Sequence, residues 1–182
     1  MRRKICLMFS IICFIISLST NEIASANRNN RPLTPKECYI KMGFKSVEEA
    51  VKDFENHYRE DVKLPTKKPP IPFTLQVGKF YKDKAYNTND HLRLEFLDEK
   101  SLGNYYEIVI RPLKNKLVFK PRENQKVYNL QNAQKAIYMV DRYHNFFVFE
   151  KDNWQYMLGV DRRVENKVTP EVLVGIANSI PE

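Results

Sequence analysis

HNFFVFEKDNWQYMLGV, residues 144–160, is the stretch whose reading decides the fold. In its second half Trp154, Tyr156, Leu158 and Val160 alternate with Gln155, Met157 and Gly159, the period of two of a strand with two unlike faces. In its first half Phe146-Phe147-Val148-Phe149 is apolar on both sides, as expected of an interior strand covered on both faces. Only the turn-forming KDN at 151–153 separates the two runs. So short a link joins antiparallel neighbours, because parallel strands need a long crossover.

Working outward, the same alternation recurs at 73–81, 91–97, 104–111, 116–120, 125–130 and 134–140. Phe73, Leu75 and Val77 share one face of the first run, and Leu92, Leu94 and Phe96 share one face of the second. NTND at 87–90, EKSLGN at 99–104, KN at 114–115 and RYHN at 142–145 read as turns. The sequence therefore predicts a single antiparallel meander sheet of about eight strands, with room to curl.

Helices flank the strands. Ser46-Val47-Glu48-Glu49 is a capping box, and Val47, Ala50, Val51, Phe54 and Tyr58 form one apolar stripe, predicting a helix over 46–60. KLPTKKPPIPF at 63–73 then forbids helix and favours an extended crossing. At the other end Thr169 as N-cap, Pro170 at the first position, Glu171 in the first turn and an apolar face of Val172, Leu173, Ile176 and Ile180 predict a short closing helix. Strands between two covering helices make the fold class α+β.

The N-terminus carries an address. Arg2, Arg3 and Lys4 precede the apolar run 5–19, too short to span a bilayer at roughly 20 residues, and Ala24-Ser25-Ala26 offers a small-residue cleavage sequence. The expected organisation is a signal peptide over 1–26 cleaved after Ala26, a flexible leader over 27–43 and one α+β domain over 44–182, secreted or otherwise extracytoplasmic. Three of the 30 basic and one of the 22 acidic residues lie in 1–26, leaving a mature charge of +6 and, of three cysteines, only Cys38. An intramolecular disulfide is then impossible in the mature chain, which must hold together by burial. The mature chain is expected to have no transmembrane helix. Its scattered basic residues imply weak attraction to anionic cell-wall or lipid surfaces, and the absence of any known binding motif argues against nucleic acid.

Signatures of chemistry are missing. His57, His91 and His144 are not at metal-ligand spacing, and neither HExxH nor paired cysteines occur. There is no G-x-S-x-G, S-x-x-K or glycine-rich phosphate loop. A Cys38–His57 pair lacks any local activating group. Glu95 with Glu107 or Asp152 has the residue types of a glycosidase pair, but carboxylates on the polar face of strands usually serve as solvated groups. No catalytic residue, metal site or cofactor is therefore expected. The aromatic residues of the later strands are either plain core or the lining of an apolar pocket; on the second reading Tyr138, Phe147, Trp154 and Tyr156 are the candidate ligand-binding residues.

Lys135-Ala136-Ile137-Tyr138, Phe149-Glu150-Lys151, Tyr156-Met157-Leu158 and Ile176-Ala177-Asn178-Ser179-Ile180 together resemble the C-terminal half of the domain-of-unknown-function family numbered 4367. The likeness runs over about residues 44–181 and includes the proline-bearing segment from Leu64-Pro65 onward. Its motifs are structural, and none corresponds to a catalytic set. The resemblance implies an α+β domain acting as an extracytoplasmic binding or sensing module of Gram-positive, spore-forming bacteria. Members are often membrane-tethered; here no transmembrane segment or lipobox is visible, which favours release or surface adsorption. The expected function is a secreted, non-enzymatic binding module of the cell envelope, with an apolar small molecule or an envelope protein as partner. The alternatives are a small exported cell-wall hydrolase and an inhibitor or immunity-like protein.

Overall fold

The computed structural model describes residues 31–182 apart from 87, 121 and 124. The expected signal peptide over 1–26, its expected cleavage point and leader residues 27–30 lie outside the described residues. Thr34–Glu182 forms one compact unit.

Seven strands build one antiparallel sheet: β1 (Leu75–Tyr81), β2 (His91–Asp98), β3 (Ser101–Pro112), β4 (Gln125–Asn129), β5 (Lys135–Val140), β6 (His144–Lys151) and β7 (Trp154–Asp161). Their spatial order is β1-β2-β3-β7-β6-β5-β4. The sheet is thus a three-strand meander and a four-strand meander joined where Tyr106–Pro112 of β3 pairs with Trp154–Val160 of β7. It is open, with β1 and β4 at its edges. The expected hairpin of 144–160 is present, with Phe149 opposite Tyr156 and Phe147 opposite Leu158.

The expected eighth strand over 116–120 is not a strand. After Pro112 a single 3-10 turn, Leu113–Asn115, lifts the chain off the end of β3, and Lys116–Lys120 runs on without a strand partner. The KN turn therefore does not close a hairpin. It opens a connection that carries the chain from mid-sheet to the far edge, where β4 begins.

Three helices occur among the described residues: α1 (Pro35–Lys41), α2 (Val47–Tyr58) and α3 (Pro170–Ala177). Residues 35–41, read from sequence as part of a flexible leader, form α1. Its start is a second capping box, in which Glu37 N donates to Thr34 Oγ1 at 3.3 Å and Thr34 N donates to Glu37 Oε2 at 2.9 Å. The box satisfies orphan donors that the polar sequence around it had disguised. α2 starts at the expected box, Glu49 N bonding Ser46 Oγ at 3.2 Å, and ends at Arg59, whose left-handed φ of 56° closes the last turn.

α2 covers one face of the sheet, its Ala50 and Phe54 fully buried. It comes so close to β1 that a Cβ on Gly78 would lie 2.6 Å from the Ala50 methyl and 2.9 Å from Leu94 Cδ2. Only glycine permits that approach. The proline-rich crossing lies on the same face and is buckled down by aromatic tips: Trp154 Nε1 donates to Asp61 O at 3.2 Å, and Tyr156 Oη to Lys63 O at 2.9 Å. Near α3, Asn178 Oδ1 accepts from Gln131 N at 3.0 Å, and Lys151 Nζ donates to Ile180 O at 2.9 Å. Leu92, Leu94, Ile110, Phe147, Tyr156, Leu158, Leu173 and Ile176 belong to this main core.

Leu75 and Val77 do not share that core with Phe73. With Phe44 and Leu97 they form a second, smaller cluster on the opposite face, packed by Tyr39 of α1, Tyr81 and Tyr105. α1 thus covers one end of the face that the long helix leaves bare. Among the described residues no helix is long and apolar enough to cross a membrane.

Candidate functional site

The second face of the sheet carries the features that look outward. The extended segment Lys116–Lys120 lies over it as a strap, fixed at its middle by one side chain. Leu117 N donates to Gln155 Oε1 at 2.8 Å, and Gln155 Nε2 donates back to Leu117 O at 2.9 Å. Gln155 is buried, so its amide stands in for the neighbouring strand that Leu117 lacks. Lys116 pairs with Glu150 of β6 at 2.9 Å, and Gln125 Nε2 holds the far end through Lys120 O at 3.1 Å.

A strap held above a pleated surface leaves space beside it. One hollow of about 390 Å³ lies between the strap and Gln134, Lys135, Ile137, Val148 and Gln155. A second of about 600 Å³ lies against Lys120, Arg122, Met139, Asp141 and Phe146. Val118 and Phe119 border both. The floor is aliphatic and aromatic, the rim mostly basic. Such volumes suit a small molecule.

Nearer α1 the same face holds a closed ion cluster. Arg93 reaches Glu107 with Nε at 2.8 Å and Nη2 at 2.6 Å, and Glu95 with Nε at 3.2 Å. Tyr39 donates to Glu95 at 2.7 Å and Tyr105 to Glu107 at 3.3 Å. Burial first, and the adjacent carboxylates second, push both tyrosine hydroxyls far above their ordinary range. Burial opposes the Arg93 charge, but Glu107, Tyr105 and Glu95 outweigh it and hold the guanidinium protonated. The structure does bring Glu95 and Glu107 side by side, as a cross-strand pair. Both are buried and committed to Arg93 and the tyrosines, so the cluster fastens α1 to the sheet. Asp152 lies elsewhere, in the β6–β7 turn.

The histidines scatter. His57 Nε2 stands 3.3 Å from Asp90 Oδ2, but that carboxylate also accepts from Tyr58 Oη at 3.2 Å and from Asp83 N at 2.6 Å. Its oxygens organise the β1–β2 connection, and neither serine nor cysteine bonds the imidazole. His91 stacks on Tyr81 at 4.8 Å and 8°. His144 lies edge-on to Tyr105. Cys38 sits on α1 over one face and His57 on α2 over the other, so the two do not meet. No cluster of metal-ligating side chains occurs among the described residues.

No protein-family model, curated protein or solved structure matches this chain.

The four candidate ligand residues fall together on the covered face. Phe147 and Tyr156 are fully buried, Trp154 and Tyr138 nearly so. Tyr156 stacks on Phe149 at 5.2 Å and 6°, and Trp154 packs on Phe54 at 5.0 Å. Tyr138 and Phe147 are register partners. Trp154 also reaches the edge of a hollow of about 350 Å³ with Tyr58, Lys114 and Asn153. The residues that line the strapped hollows are their immediate neighbours of opposite parity: Ile137 and Met139 flank Tyr138, Phe146 and Val148 flank Phe147, and Gln155 lies between Trp154 and Tyr156. The two-faced run Phe146–Phe149 was the signal for them, since a strand apolar on both sides needs something to lie on each.

Proposed function

We propose that this chain is an exported, non-enzymatic binding module of the cell envelope, and that its ligand is a hydrophobic small molecule held in the strapped hollows. The observation that carries the reading is the apolar floor of Ile137, Met139, Phe146 and Val148 beneath a strap that leaves space on both sides. An apolar surface of this kind gains free energy when a ligand replaces water on it, at roughly 25 cal/mol per Å². Tyr138, Phe147, Trp154 and Tyr156 back that floor from the covered side and keep it rigid. The basic start, the short apolar run and Ala24-Ser25-Ala26 support export. The ion cluster and the His57–Asp90 pair have their polar atoms engaged internally, which favours binding over hydrolysis.

The test is native mass spectrometry of the protein isolated as its host produces it. A co-purifying adduct that persists in Trp154→Phe and is lost in Ile137→Glu is the expected result. A bare chain mass in every preparation overturns the reading.

A further inference from the structure

We infer that the ligand of the strapped hollows is a single-chain anionic amphiphile, lying with its tail in the narrower hollow and its anionic head beside Lys120 and Arg122. The inference rests on the binding reading above and names the chemistry of the same site. Three observations carry it.

The two hollows differ in kind. The one of about 390 Å³ is floored by Ile137 and Val148 and bordered by Leu117; of its two lysines Lys116 is already neutralised by Glu150 at 2.9 Å, and Lys135 is a single cation at its rim. The one of about 600 Å³ places Lys120 and Arg122 above Met139 and Phe146, with one carboxylate, Asp141, on the same wall. Among the described residues neither Lys120 nor Arg122 has an ion-pair partner. A cation without a protein partner beside an apolar floor is the arrangement that recognises an anionic head on an apolar body.

The hollows also adjoin one another. Val118 and Phe119 border both, so an elongated guest lying past Phe119 has the basic rim at one end and the aliphatic floor at the other. Val118 is 83% exposed, an apolar side chain on the strap with no protein cover. Finally, the net charge of +6 expected for the mature chain, 27 basic against 21 acidic residues, favours the approach of an anion.

The experiment titrates the protein isolated as its host produces it with 11-(dansylamino)undecanoic acid and, separately, with its methyl ester, following dansyl fluorescence. The acid is expected to bind at least about tenfold tighter than the ester, the gain that two partly exposed cation contacts supply. Raising the salt concentration should narrow that gap. The double variant K120A/R122A should erase the gap while leaving ester binding and the thermal transition unchanged, since both side chains are exposed. Equal binding of acid and ester by the unmodified protein overturns this inference and leaves the apolar-ligand reading standing. Absence of binding by both probes overturns the two together. Co-sedimentation with phosphatidylglycerol vesicles without uptake of the monomeric acid makes the partner a membrane surface, and also overturns it.

Discussion

Replacing Gln155 by leucine removes the one clasp at the middle of the strap, and its effect can be worked out from the two bonds described. Leucine matches glutamine in bulk and suits a buried site on β7, so the sheet beneath should hold. Lost are the donor to Leu117 O at 2.9 Å and the acceptor for Leu117 N at 2.8 Å. Leu117 is 38% exposed, so its peptide groups can turn to water, and no unsatisfied group is left buried. Two neutral bonds of about 1 kcal/mol each make local opening of the strap easier by about 2 kcal/mol, or roughly 30-fold in the population of the open form. Amide exchange at Leu117 should accelerate by that factor, and so should tryptic cleavage after Lys116 in the regime where opening is fast. The global thermal transition should move little, because the main core is untouched. Unchanged exchange at Leu117 would refute the argument, showing that the strap is held by contacts other than the clasp.

Gly78→Ala should destabilise the protein by about 1–3 kcal/mol, since the added methyl meets Ala50 Cβ at 2.6 Å and overpacking costs that much; adding Ala50→Gly should make the double variant less destabilised than the sum of the singles, as read by urea denaturation. Gly159→Ala places a methyl 2.8 Å from Glu107 Cγ and should cost about 1–3 kcal/mol, a penalty that shrinks in a Glu107→Ala background where that atom is gone. Burial pushes the His91 imidazole below its ordinary value of 6.5, so the unfolded chain binds the proton more readily. Stability should accordingly be full above pH 6.5 and fall as the pH drops from there towards the folded value, and His91→Phe should flatten that limb in a chemical denaturation series.

The strands, the capping box at Ser46 and the lid at Thr169 were legible because each is set by local chemistry: alternation, side-chain caps and a proline where its missing N–H costs nothing. The strap was not, because Lys116–Lys120 has the composition of a strand and only a side chain from β7, 38 residues away, decides that it is none. α1 was hidden by a polar sequence whose Tyr39 is held only by partners outside the helix itself, Glu95 on β2 and the small cluster of Phe44, Leu75, Val77 and Leu97. The candidate site was half legible. Phe146–Phe149 declared a strand buried from two sides, but parity alone does not say which set of aromatics lies under helices and which lies under a loop. Tyr138, Phe147, Trp154 and Tyr156 took the helical side because their faces align with Leu94, Ile110 and Leu158 in the register.

The two-meander layout also makes this chain a molecule in two pieces. Each piece carries its own helix, α2 on the first and α3 on the second, and the strap is the only covalent tie between them. What holds them otherwise is the seven-pair ladder of β3 with β7, the apolar core, and the crossing, buckled at Asp61 and Lys63 and bonded from Lys67 N to Ser179 Oγ at 3.1 Å. A single cut within 116–120 severs the tie and touches none of these. The nicked protein should therefore stay assembled, and fragments made separately on either side of the strap should find each other along one ladder, a split protein whose seam runs beside the strapped hollows.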